Sequence, residues 1–311
     1  MSAPAPTSAP VRLARNPGPS WGYRFLRGCD RVLPEAIFRP LRGIGTAIAV
    51  AGMPEQRRHS RDYLALVLRR PPGWRDVWRH FFAFEEALMV KLRVINGRPH
   101  RTVYGPGTAD FRTWLEGGGP VLLGTFHVGV SDLLGCQIGG YGLQQIYVVR
   151  QRVGNSHDID KLAERFGGRL HFVWVNEPEE MLFALKEAAA TTAAIAMQCD
   201  RIEFAARTEE FEFLGARRRF PFTIYHLALI FDRPVLLSVG LPDGPAGAVL
   251  HSSPRFDPRP GEKRSEGLQR ARVHFQAFLR QLEELLFQQP NVWFNFTPLN
   301  PPAAAPAPSI E

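Results

Sequence analysis

Cysteine is scarce in this 311-residue chain: Cys29, Cys136 and Cys199 are widely separated and make no CxxC pair. That count argues against a disulfide framework or a thiolate zinc site and fits a reducing compartment. Long apolar runs are missing too. The best candidates, Ile44–Met53 and Ile224–Phe231, are too short to span a bilayer. The first twenty residues are rich in Pro and Ala and have no apolar centre, so no secretory signal is expected. Without such a signal the sequon Asn295-Phe296-Thr297 carries little meaning. No GxxxxGKS/T or GxGxxG follows a predicted strand, which removes the usual nucleotide loops. Gly129-Val130-Ser131 lacks the second glycine of a GxSxG elbow, which argues against a serine hydrolase. Internal repeats are absent, and no metal or cofactor is expected.

What remains is an ordinary globular composition, 45% hydrophobic and 22% charged. Its charge is unevenly spread. Residues 1–100 hold 17 Lys/Arg against 7 Asp/Glu, whereas the rest hold 21 against 23, so the first third carries the whole net +8. Such asymmetry points to an anionic partner. A nucleic acid is not expected, because the basic region is rich in Trp and Leu and has no recognised binding motif. An anionic membrane surface or an acidic protein fits better.

The ends, 1–20 and 298–311, read as disordered Pro/Ala tails. Between them, 21–297 reads as a single domain. Residues 21–95 are expected to be helical, with breaks near Pro34, Pro40, Pro54 and Pro71-Pro72. In the first helix Trp21, Phe25, Cys29 and Val32 share one face, and Arg24, Arg27 and Arg31 share another. Two readings of that helix stand side by side. It packs on a core and solvates its basic face, or it lies in a lipid headgroup layer.

From Pro120 the pattern alternates. Apolar runs at 121–126, 145–149, 170–175, 193–198 and 234–239 predict strands. Helices are predicted near 131–139, 157–166, 178–190 and 221–231, with a long one at 262–288. The expected fold is therefore α/β, a mostly parallel central sheet flanked by helices, with a helical N-terminal region. Residues 120–240 form its predicted catalytic core.

Ligands bind such sheets at the carboxyl ends of the strands. His127 lies at one of those ends, and Asp132 follows within the opening of the next predicted helix. A carboxylate on one ring nitrogen leaves the other free to take a proton from a substrate hydroxyl. This suggests acyl transfer without a protein nucleophile, with His127 as general base and Asp132 as its orienting partner. The alternative for His127 is a satisfied interior histidine. Backbone N–H groups of Val128 and Gly129 are candidates for stabilising the oxyanion, and a glycine at 129 would let substrate approach closely. Arg150 and Arg152, after the strand at 145–149, are candidates for a phosphate group. Arg217, Arg218 and Arg219, ahead of a predicted helix, suit an anion if they are not simply solvated. Ala196-Met197-Gln198-Cys199-Asp200-Arg201 ends a further strand with an acid and a base.

His127-x4-Asp132, the Asp200-Arg201 strand end, Phe213-Leu214-Gly215-Ala216 with Pro221-Phe222, and Pro290-Asn291-Val292-Trp293 occur in this order. The order resembles that of the LpxL/LpxM (HtrB-type) lipid A acyltransferases, within the lysophospholipid acyltransferase superfamily. The likeness spans about residues 20–297. It implies a peripheral or anchored enzyme on the cytoplasmic face of the inner membrane. Such an enzyme moves a fatty acyl chain from acyl carrier protein to a glycolipid hydroxyl. The resemblance also implies that His127 and Asp132 form the catalytic dyad, and that Asp200, Arg201 and the 213–222 block line the site. Two features depart from the pattern. That family usually has Glu where Asp132 stands, and its N-terminal transmembrane helix has no counterpart here. Other acceptors (an ornithine-type lipid, a lysophospholipid, a polyene-type lipid), a coenzyme A donor, or a non-catalytic membrane-binding adaptor therefore stay open.

Overall fold

A computed structural model of the chain describes residues 20–133, 145–151, 168–202, 205, 207–244 and 247–299. Four helices come first: α1 (Ser20–Val32), α2 (Glu35–Gly52), α3 (Pro54–Leu68) and α4 (Trp74–Ile95). There follow β1 (Arg101–Tyr104), α5 (Ala109–Gly117), β2 (Val121–Gly129), a 3₁₀ turn at Ser131–Leu133, β3 (Ile146–Arg150) and β4 (Leu170–Trp174). The second half contains α6 (Pro178–Ala189), β5 (Ala194–Gln198), β6 (Thr208–Phe213), β7 (Ala216–Pro221), α7 (Thr223–Phe231), β8 (Val235–Pro242), β9 (Gly247–Ser252) and α8 (Arg264–Gln288).

Seven strands make the central sheet in the order β1-β9-β8-β2-β5-β3-β4. β2, β3, β4, β5 and β8 run parallel, and β9 pairs antiparallel with β8. The α/β expectation therefore holds, and each of the five predicted apolar runs is a strand. At the centre of the sheet, β2 and β8 are buried on both faces, which is why they read as continuous runs rather than alternations. Leu122, Phe126 and Val128 of β2 join a core with α3, α4, α7 and α8, whereas Val121 and Leu123 pack with Phe111, Trp114 and Leu115 of α5. Each such side chain contributes roughly 1.5–3 kcal/mol by leaving water. The helix predicted at 157–166 lies outside the described residues, as does the 134–139 part of the one predicted after His127.

Four elements have no counterpart among the apolar runs: β1, α5, β9 and the hairpin β6–β7. The hairpin is the instructive case. Its loop is Leu214-Gly215, and both residues have positive φ, 49° and 73°. That conformation matches the twist of paired strands and is natural for Gly215 but not for Leu214. The hairpin docks on α8: Gln276 bonds the backbone of Glu212 at both its N–H and its carbonyl, and Arg272 pairs with Glu209. Behind the sheet, buried Arg233 donates to the carbonyls of Ala188, Ala189, Thr191 and Ala193. It caps the carboxyl end of α6, whose last carbonyls have no partner within the helix.

β2 sits where the chain changes direction across the sheet. The chain leaves β2 for β3 and β4 on one side, returns through β5, and then crosses to β8 on the other. Crevices for ligands form outside the carboxyl ends of strands at such a switch point.

Candidate active site

His127 stands at that point, near the carboxyl end of β2. Strand register decides what faces it. Thr125 of β2 is level with Gln198 of β5, and the Cys199 N–H bonds the Thr125 carbonyl at 2.8 Å. Two residues further along β2, and two past the end of β5, His127 meets Asp200. One carboxylate oxygen, Oδ1, lies 2.8 Å from His127 Nδ1, and the other accepts the His127 backbone N–H at 2.8 Å. The second oxygen also accepts the Trp293 indole N–H at 3.0 Å. Burial alone would push the Asp200 carboxyl up. The His127 ring, the Arg201 guanidinium and the Trp293 indole outweigh it and hold the group below the ordinary carboxylate value.

An ionised carboxylate only accepts, so Nδ1 carries a proton, and in the neutral ring Nε2 then presents a lone pair. Arg201 Nε lies 3.4 Å from the same Nδ1. Nδ1 cannot donate to Asp200 and accept from Arg201 at once. The shorter, charge-assisted contact decides the tautomer, and Arg201 is a cation beside the ring. Among the described residues Nε2 has no hydrogen-bond partner, and the His127 side chain is 25% exposed while that of Asp200 is 1% exposed. Among the described residues the imidazole is therefore held on one edge and open on the other. That is the geometry of a general base.

A strap from the segment after α8 holds the backbone around this histidine. Val128 bridges Trp293, the Gly129 N–H donates to the Val292 carbonyl at 2.7 Å, and the Phe294 N–H donates to the His127 carbonyl at 2.8 Å. Behind Asp200 a void of about 10 Å³, lined in part by Trp293, Phe220 and Asn295, has room for about one water. Ser131 is buried; its hydroxyl donates to the Val128 carbonyl at 2.5 Å and accepts from the Gly240 N–H at 3.0 Å. Cys199 is fully enclosed, and burial pushes its thiol well above the ordinary value. Neither side chain is placed as a nucleophile.

Three sequence expectations change on this geometry. First, the carboxylate on Nδ1 is that of Asp200, in the place expected of Asp132. The five-residue spacing places Asp132 in the 3₁₀ turn, whose side chain at that position lies outside the described residues. Second, the Gly129 N–H is already committed to Val292, so it is no free oxyanion donor. Its φ is +53°, and a Cβ there would meet the Gly240 carbonyl oxygen at 2.4 Å and Pro242 Cδ at 2.9 Å. Close approach by β8, rather than by substrate, explains the glycine. Third, Arg217, Arg218 and Arg219 belong to strand β7 and not to a helix start. Arg217 is level with Glu212 and Arg219 with Glu210, while Arg218 donates to the carbonyls of Phe213 and Leu299 at 2.9 and 3.0 Å.

The structure brings Arg201 beside His127. Arg150, at the end of β3, sits two strands away from β2. Its guanidinium covers Phe172 at 5.3 Å and Trp174 at 5.8 Å. Arg152 is outside the described residues. Trp293 was expected only as part of an ordered series of motifs, and its bond to Asp200 had no local signal.

The helical region contributes a surface near this site. A groove of about 940 Å³ runs between α2 and α4, with Pro40, Gly43, Ile44, Trp78 and Phe82 in its lining and Asn291 at the start of the strap. On α2, Ile37, Leu41, Ile44 and Ile48 repeat at helical spacing and are 50–69% exposed. On α1, Leu26 and Cys29 pack inward, but Phe25 and Val32 are 60% and 79% exposed. Those two residues are not core. Among the described residues no helix is long and apolar enough to cross a membrane.

No family model matches the chain, and no curated protein matches it. Among solved structures it is similar to that of the 1-acyl-sn-glycerophosphate (LPA) acyltransferase PlsC from Thermotoga maritima. The likeness is distant: 16% identity and a TM-score of 0.38, covering 79% of this chain and 97% of that one.

Proposed function

We propose that this chain is an acyltransferase of the lysophospholipid acyltransferase superfamily, acting at a membrane surface. The observation that carries the reading is the one-sided hold on His127: Asp200 on its backbone N–H and Nδ1, and nothing described on Nε2. In the proposed reaction Nε2 takes the proton of an acceptor hydroxyl as that oxygen attacks the carbonyl carbon of an acyl thioester. The tetrahedral adduct expels the thiolate, which takes the proton back from the imidazolium. Asp200 fixes the tautomer and stabilises the transient cation. Arg201, beside the ring, is the proposed counter-charge to the oxyanion. Asp132 remains a proposed member of the site through its place in the turn that follows β2. Arg150, Arg152 and the β7 arginines are proposed only as outlying contacts for an anionic headgroup or donor.

The finer reading is a glycolipid acceptor of the lipid A type, acyl carrier protein as donor, and peripheral attachment to the cytoplasmic face of the inner membrane. The basic first third supports both partners, since acyl carrier protein and an anionic bilayer are both acidic. The exposed apolar stripe of α2, next to that charge, supports attachment within the headgroup layer.

The test is thiol release from acyl carrier protein or coenzyme A thioesters in the presence of anionic vesicles carrying candidate acceptors. Wild type should consume thioester and yield an acylated lipid by mass spectrometry. His127→Ala, still folded and still bound to vesicles, should lose about 10²–10⁴-fold. Vesicle binding by wild type with no thioester consumed would instead support the adaptor reading and end this one.

A further inference from the structure

The polar contacts of His127 do not stop at Asp200. Trp293, 2% exposed, donates its indole N–H to Asp200 Oδ2 and offers its own backbone carbonyl to His80 Nε2 at 2.8 Å. His80 Nδ1 lies 2.8 Å from the Ser60 hydroxyl. Both His80 and Ser60 are wholly buried. A carbonyl only accepts, so His80 Nε2 carries the proton and Nδ1 accepts from Ser60. Burial lowers the His80 pKa to about 4, so the ring is neutral at ordinary pH, as that arrangement requires. Tyr63 and Phe213 pack edge-on against the Trp293 ring, each at 5.3 Å. Trp293 is thus fixed at its backbone, by α4 and α3 through His80 and Ser60, and at its ring by aromatic walls.

Resting on the acyl-transfer reading, we propose that Trp293 and His80 are positioning residues. Through them the helical layer that carries the exposed apolar stripe sets the orientation of the catalytic carboxylate. Neither touches substrate. Trp293 supplies one of the donors that keep Asp200 ionised and aimed, and His80 holds the backbone that places Trp293. The titratable groups facing Asp200 are His127, Arg201 and the buried Cys199 thiol.

The experiment uses the full chain. Trp293→Phe keeps the ring and deletes the donor. It should lower kcat about tenfold to a hundredfold with KM little changed, and move the acid limb of the pH profile to higher pH. His80→Gln retains a donor at the position of Nε2 and should stay close to wild type. His80→Leu should lose about twofold to tenfold in kcat. Independently of activity, the Trp293 indole N–H resonance, identified by its loss in Trp293→Phe, should shift in Asp200→Asn. Wild-type rate and pH profile in Trp293→Phe would overturn the proposal, as would equal rates for His80→Gln and His80→Leu. An indole resonance that ignores Asp200→Asn would do the same. Should wild type transfer no acyl group while the resonance still moves with Asp200→Asn, the function reading fails and the contact between Trp293 and Asp200 stands.

Discussion

Asp200 at the sheet edge and Glu85 in the helical layer are both carboxylates beside a cation, with side chains only 1% and 16% exposed, yet they shift in opposite directions. Asp200 receives the backbone and ring of His127 and the indole of Trp293, and is held below the ordinary value. Glu85 receives Arg42 on Oε2 at 2.7 Å, while its buried Oε1 has no partner among the described residues. Burial dominates there and raises the group to about 7 despite Arg42. The difference lies in the number of donors aimed at the charge, not in burial or in the nearness of a cation. The sheet edge directs three hydrogen bonds at one carboxylate and keeps it ionised. The helical layer leaves its acid half-satisfied, and the group shifts toward its neutral form.

The largest test of that contrast is chemical. Asp200→Asn should cut turnover by roughly 10²–10⁴-fold, because an amide can no longer demand a proton on Nδ1. Glu85→Gln should leave turnover within about twofold. Thiol-release rates for both variants, with Asp132→Asn alongside, decide which acid serves His127. A greater loss in Asp132→Asn than in Asp200→Asn would return the role to the acid five residues away.

Next in size is a steric effect at the same edge. Gly129→Ala forces a side chain into left-handed backbone and against the Gly240 carbonyl, at a cost of roughly 3 kcal/mol or more. Chemical denaturation should show the loss directly. An alanine variant as stable as wild type would mean that β8 does not approach β2 this closely.

These cases show what was legible from residues alone. The five parallel strands and the strand-end position of His127 could be read from apolar runs and their ends. The partner of His127 could not. Asp132 is close in sequence, but Asp200 is brought in by the pairing of β2 with β5, 73 residues away, and register is invisible in a single chain. Gly129 looked like room for substrate because the strand that fills that room, β8, comes more than a hundred residues later. The arginines of β7 looked like an anion site because they stand ahead of a predicted helix; the strand that pairs with them, Thr208–Phe213, has an alternation that makes sense only once Phe211 and Phe213 face the core. Trp293 carried no local pattern, since its role depends on a strap crossing back to β2.

A smaller effect separates the two carboxylates by pH. Glu85 has a folded pKa of about 7 against an ordinary 4.5, so its stabilising contribution is complete below 4.5 and is lost as pH rises through 7. Asp200, shifted the other way, contributes above the ordinary value and loses that contribution as pH falls through its lowered one. Buried His80, lowered to about 4, opposes Glu85 between pH 4 and 6.5, so the signal is the difference between variant and wild type. Relative to wild type, Glu85→Gln should gain up to about 2 kcal/mol between pH 5 and 8. Tm measured across that range checks it, and a flat difference would show that Glu85 ionises freely.

The smallest effect asks whether the helical layer tolerates what the sheet edge does not. Gly45 lies inside α2, and nothing comes within 4 Å of the place an added Cβ would take. An alanine there only restricts the unfolded chain and favours the helix. Gly45→Ala should raise stability by roughly 0.5–1 kcal/mol with no change in turnover. Gly43, two residues earlier on the same helix, is the control. A Cβ there would lie 3.2 Å from Trp78 Cζ2, and Trp78 donates to the Gly43 carbonyl at 3.0 Å. Gly43→Ala should therefore gain less than Gly45→Ala or lose stability. Equal gains at both positions would mean that α2 does not press on α4 at Trp78, and would loosen the link between this layer and the strap that holds Asp200.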